Sequence, residues 1–68
     1  MKKIKIRGIE GYYYVEDDYL CHYSNDLKDG GIIEDLSSLY IYQYNELVKN
    51  LWVYYPDYNI NKLEGRFI

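Results

Sequence analysis

The chain has no alanine and no threonine, and only one each of cysteine, histidine, proline, methionine and tryptophan. These scarcities exclude a good deal. A lone Cys21 cannot close an intramolecular disulfide. A lone His22 would have to carry any zinc site or imidazole acid–base chemistry by itself. Cys21 and His22 are neighbours in sequence, so on a strand they point to opposite faces and cannot form a thiolate–imidazole pair. No run approaches the roughly 18 apolar residues of a membrane span. Met1 to Arg7 has the basic start of a secretion signal, but no apolar stretch follows it. The expected location is cytoplasmic, with Cys21 reduced.

Phosphate and calcium motifs are missing as well. Gly30-Gly31 lacks the lysine and the spacing of a phosphate loop. A calcium loop begun at Asn25 would have Asp29 and Gly30 in place, but Leu27 falls at its third position and Leu36 at its twelfth. The carboxylate runs Glu16-Asp17-Asp18 and Glu34-Asp35 have local work already, in a turn and at a helix start. No catalytic residue, metal or cofactor is expected.

What is abundant is tyrosine, eleven of 68 residues. A domain this small buries only about 60% of its unfolded surface, so it cannot enclose them all. Several are expected at the surface, where tyrosine is a common contact residue. Isoleucine, lysine and asparagine are also frequent and alanine is absent, as an AT-rich genome would favour.

Charge is unevenly placed. Lys2, Lys3, Lys5 and Arg7 open the chain, and the rest carries four basic against eleven acidic groups, a balance of −7. That surface would repel duplex phosphates and suits a basic protein partner.

Along the chain, Lys2 to Arg7 alternates as a half-buried edge strand does, and Gly8 to Gly11 reads as a turn. Tyr12 to Tyr23 reads as a hairpin about Asp17-Asp18. Its register pairs Tyr12 with Tyr23, Tyr13 with His22, Tyr14 with Cys21, Val15 with Leu20 and Glu16 with Tyr19. Tyr13, Val15, Leu20 and His22 then share one face, and Tyr12, Tyr14, Tyr19, Cys21 and Tyr23 the other. Ser24 to Gly31 is a loop, and Ile32-Ile33 a short strand or a core plug.

The central element is a helix near 36–53, capped by Asp35 or Ser37. Leu36, Tyr40, Ile41, Tyr44, Leu47, Val48 and Leu51 form its expected core arc, with Tyr42, Gln43, Asn45, Glu46 and Lys49 outside. Pro56 ends it. A short helix from Asp57 with Ile60 and Leu63, stopped by Gly65, and an edge strand at 66–68 complete the chain. The fold class is α+β in a single domain: a three-stranded antiparallel sheet packed on one amphipathic helix.

The expected function is non-enzymatic. A small acidic, tyrosine-rich protein-binding module fits best, carried by a phage or mobile element as an inhibitor of a host nuclease or defence protein. Carboxylates at Asp17, Asp18, Asp26, Asp29, Glu34 and Asp35 would support partial nucleic-acid mimicry toward a basic groove. The expected contact residues are Tyr12, Tyr14, Asp17, Asp18, Tyr19 and Tyr23. The alternative is single-stranded nucleic-acid binding, with Lys3, Lys5 and Arg7 on phosphates and hairpin tyrosines stacking on bases. A homodimer closed through the edge strand at Lys2 to Arg7 is compatible with either.

Overall fold

The computed structural model describes residues 2–24, 31–33, 36 and 39–63. Strands β1 (Tyr12–Glu16), β2 (Tyr19–Tyr23) and β3 (Gly31–Ile32) form an antiparallel sheet in the order β1-β2-β3. Helix α1 (Ile41–Tyr54) follows, and a single 3-10 turn spans Ile60–Lys62. The α+β class expected from the sequence is the one observed.

The hairpin is built on its turn. Asp17 and Asp18 both take positive φ, 53° and 66°, the backbone that a two-residue primed turn requires and that aspartate tolerates better than most residues. Every cross-strand pair follows, from Glu16 opposite Tyr19 to Tyr12 opposite Tyr23. All five pairs match the register expected from the sequence.

The amino-terminal segment differs from expectation. It joins the free edge of β1 at one point, where Ile4 and Tyr13 exchange two backbone hydrogen bonds of 2.8 Å. Pairing stops there because the chain turns back early: Ile9 N–H donates to Ile6 O at 3.1 Å. Gly8 supplies the positive φ of that turn, 87°. Gly11, at φ 82°, lies so close to β2 that a Cβ would sit 1.8 Å from the Tyr23 carbonyl oxygen. The third strand is therefore Gly31–Ile32 rather than residues 2–7. The alternation of the first segment survives even so, with Ile4 and Ile6 buried and Lys3, Lys5 and Arg7 exposed.

The inner sheet face and the helix share one core of Ile4, Ile6, Tyr13, Leu20, Leu36, Leu47, Leu51 and Tyr58. Each of its aliphatic side chains contributes about 1.5–3 kcal/mol through burial. Tyr55 fastens the first segment to the end of α1, donating from its hydroxyl to Lys2 O at 2.6 Å. The Lys2 N–H donates back to the same hydroxyl at 3.2 Å.

The helix has a later start and a different phase from those expected. It begins after Tyr40, whose N–H donates to Gln43 Oε1 at 3.0 Å. Gln43 Nε2 donates in turn to Arg7 O at 3.2 Å. A glutamine with both ends of its amide engaged can be buried, and Gln43 is only 4% exposed. Inward positions are therefore Gln43, Leu47 and Leu51, spaced i, i+4, i+8. Tyr40 and Ile41, expected in the core, face water. Leu36 is still buried, but it precedes α1 and so does not set the phase. The proposed caps Asp35 and Ser37, the stop at Gly65 and the strand at 66–68 lie outside the described residues. So do the loop residues 25–30 and Glu34.

Candidate binding surfaces

The outer face of the hairpin collects the tyrosines expected to contact a partner. Tyr12 stacks on Tyr23 across the strands, with ring centroids 5.1 Å apart and planes 24° apart. Tyr14 lies 5.8 Å from Tyr12 on the same face. The Lys3 ammonium sits 4.8 Å over the Tyr12 ring, a cation–π placement. At the far end, the Lys62 ammonium lies 4.8 Å over the Tyr19 ring and donates to Asp18 O at 2.7 Å.

The structure thus gathers Tyr12, Tyr14 and Tyr23 into one cluster. Tyr19, Asp17 and Asp18 stand apart from it at the turn, and all three are exposed. Tyr14 is not available as a contact, being 8% exposed beside buried Cys21. Burial pushes the Tyr14 hydroxyl pKa upward, with Cys21 and the Glu16 charge adding to the rise. Burial likewise raises the Cys21 thiol, helped by Glu16. Cys21 therefore stays a protonated, weakly nucleophilic thiol at neutral pH. His22 faces the other way: its ring lies 4.5 Å from that of Tyr13. Its Nε2 is 2.9 Å from Glu10 O, and because a carbonyl only accepts, that nitrogen carries the proton.

Beside the tyrosine cluster lies a cleft of about 530 Å³ lined by Lys5, Arg7, Tyr12 and Tyr23, with Ile6, Ile9 and Gly11 between them. Lys5 and Arg7, named from the sequence as phosphate contacts, thus share a wall with two stacking rings. Lys3 borders them through Tyr12.

A second surface was not anticipated. Helix α1 turns Ile41, Tyr42, Trp52 and Val53 to solvent, with Trp52 68% and Val53 65% exposed. Tyr40 just ahead of it is 69% exposed and stacks on Tyr42 at 6.0 Å. The helical wheel held the signal: at about 100° per residue, Trp52 falls between Ile41 and Asn45, away from Leu47. Beyond the helix end, Trp52, Tyr55, Pro56, Tyr58 and Ile60 line a hollow of about 370 Å³.

Among the described residues, no three His, Cys, Asp or Glu side chains are grouped to hold a metal ion. No helix among them is long and apolar enough to cross a membrane. Comparisons with protein-family models, with curated proteins and with solved structures find no match.

Proposed function

We propose that this chain is a non-enzymatic, cytoplasmic protein-binding module whose contact surface is the outer face of α1. One observation carries the reading. Tyr40, Ile41, Tyr42, Trp52 and Val53 are five large apolar side chains on or beside one short helix, all exposed; Tyr54 is exposed too but lies under the Lys2 ammonium. A cluster of that kind on a small soluble domain marks an interaction site, and Trp and Tyr are the residues that anchor such sites. A role as a phage or mobile-element inhibitor of a host nuclease or defence protein is the sharper form of this reading. It needs carboxylates beside the apolar residues, and Glu46 stands on the same helix face.

The test is affinity capture from a lysate of a low-GC bacterium with wild type, Trp52→Ala and Tyr23→Ala as bait. Loss of the captured protein with Trp52→Ala and retention with Tyr23→Ala is the expected result. The reverse pattern moves the interface to the hairpin.

A second reading has its own observation, the cleft that joins Lys5 and Arg7 to Tyr12 and Tyr23. Aromatic rings beside cations are the elements of a single-strand binding groove. Titration with fluorescent oligonucleotides at two salt concentrations separates the readings. Salt-sensitive binding lost in a Lys5→Ala, Arg7→Ala variant supports the second, and no binding at low salt removes it.

A further inference from the structure

Building on the second reading, of the cleft beside the hairpin, we infer that its ligand is one nucleotide bearing a terminal phosphate. That nucleotide is free or at the end of a strand, and the interior of a long strand is disfavoured. The cleft measures about 530 Å³, within the roughly 300–1,000 Å³ of small-ligand sites. Its lining combines two chemistries. Antiparallel pairing of Ile4 with Tyr13 brings the exposed Lys5 alongside Tyr12. Arg7, two residues on and also exposed, lines the same cleft. Tyr12 and Tyr23 add a stacked ring pair. No carboxylate is among the lining residues. A phosphate therefore finds two cations there, and a planar base finds rings to stack on.

Charge decides the length of the ligand. Lys2, Lys3, Lys5 and Arg7 make the first seven residues positive, while the rest of the chain has a balance of −7. Lys3 belongs to the same patch, 4.8 Å over the Tyr12 ring. Fields of exposed charges fade over about 8–10 Å in physiological salt, so a phosphate at Lys5 and Arg7 is governed by these cations. A long strand carries its further phosphates beyond the patch, toward a remainder that is net negative and repels them. The kind of phosphate matters too. A terminal monoester carries about −1.5 to −2 at neutral pH, whereas each phosphodiester within a strand carries a single charge. The same two cations therefore hold the terminal group more strongly.

The test is titration of the full chain followed by nuclear magnetic resonance, with circular dichroism confirming that each variant is folded. The probes are deoxyadenosine 5′-monophosphate, deoxyadenosine, inorganic phosphate, a phosphotyrosine peptide, and oligodeoxyadenylate with and without a 5′-phosphate. The monophosphate is expected to shift the amides of Lys5, Arg7, Tyr12 and Tyr23. It should bind at least about tenfold tighter than deoxyadenosine, which lacks the charge-assisted bonds. Lys5→Ala combined with Arg7→Ala should remove that gain. Tyr23→Ala should reduce affinity to that of inorganic phosphate, and Tyr23→Phe should keep it. Lys49→Ala, which removes an exposed cation elsewhere, should change nothing. Monophosphate binding without the phosphorylated oligonucleotide assigns the site to free nucleotides, and binding of both extends it to strand ends. An unphosphorylated oligonucleotide that outbinds the monophosphate overturns the inference and leaves the strand-binding reading standing. No binding by any nucleotide or oligonucleotide removes both. Inorganic phosphate that binds as tightly as the monophosphate also overturns it, as does a phosphotyrosine peptide that binds more tightly.

Discussion

The hairpin and the helix both carry aromatic residues to the surface, and they treat them differently. On the hairpin, Tyr12 leans on Tyr23 and Tyr14, Lys3 covers Tyr12, and Lys62 covers Tyr19. Cross-strand neighbours stand close enough for rings to meet, so a tyrosine face on a sheet tends to satisfy itself. At α1, Tyr40 and Tyr42 also stack and Lys2 lies over Tyr54, but Trp52 and Val53 stay mostly in water. A count of tyrosines drew attention to the hairpin. The geometry of exposure favours the helix. Aromatic abundance marks where packing is rich, and only the unpaired share of it is left for a partner.

The sharpest way to break this contrast is to mutate neighbours on α1. Leu51→Ala removes a fully buried side chain and should cost about 2–5 kcal/mol in urea unfolding, enough to unfold much of so small a domain. Trp52→Ala, one residue on, should change stability by less than about 0.5 kcal/mol. Equal effects would mean that the helix phase is wrong. Gly11→Ala comes next. Its Cβ would meet the Tyr23 carbonyl, and a positive φ adds about 1–3 kcal/mol of strain, so thermal melting should fall sharply. Gln43→Leu keeps the volume but strips partners from Tyr40 N–H and Arg7 O, an expected loss of about 1–3 kcal/mol by the same melt.

The pH dependence follows from Cys21, Tyr13 and Tyr14. All three have pKa values raised by burial above the ordinary 9.0 for the thiol and 10.0 for the hydroxyls. The folded state then holds its protons longer than the unfolded chain does, so the stabilisation is complete below the ordinary values and declines above them. Urea midpoints should be flat near neutrality and fall above about pH 9, with Cys21→Ala removing the first part of the decline. The smallest effect concerns the turn. Replacing Asp17-Asp18 by Asn-Gly suits the positive φ at both positions and should raise the melting temperature slightly. If partner binding survives that change, the turn carboxylates are not contacts.

What was legible in the sequence divides along the same line. Strand periodicity is two, and one turn sets every pair, so Asp17-Asp18 was enough to place Tyr12 opposite Tyr23. The helix was legible in existence but not in phase. Hydrophobicity favoured Tyr40 and Ile41 inside, yet the buried position went to Gln43, because its amide bonds both Tyr40 N–H nearby and Arg7 O, 36 residues away in sequence. No local pattern announces a tertiary hydrogen bond. The extent of the first strand was hidden for a similar reason. Its alternation was correct, but the close approach of Gly11 to Tyr23 depends on where β2 runs.

The contrast between the two faces is open to one direct measurement: hydroxyl-radical footprinting of Trp52 and Tyr23 in the full chain, free and with the captured protein bound. Oxidation of Trp52 is expected to fall on binding while that of Tyr23 stays unchanged. Protection of Tyr23 with Trp52 unaffected would contradict it.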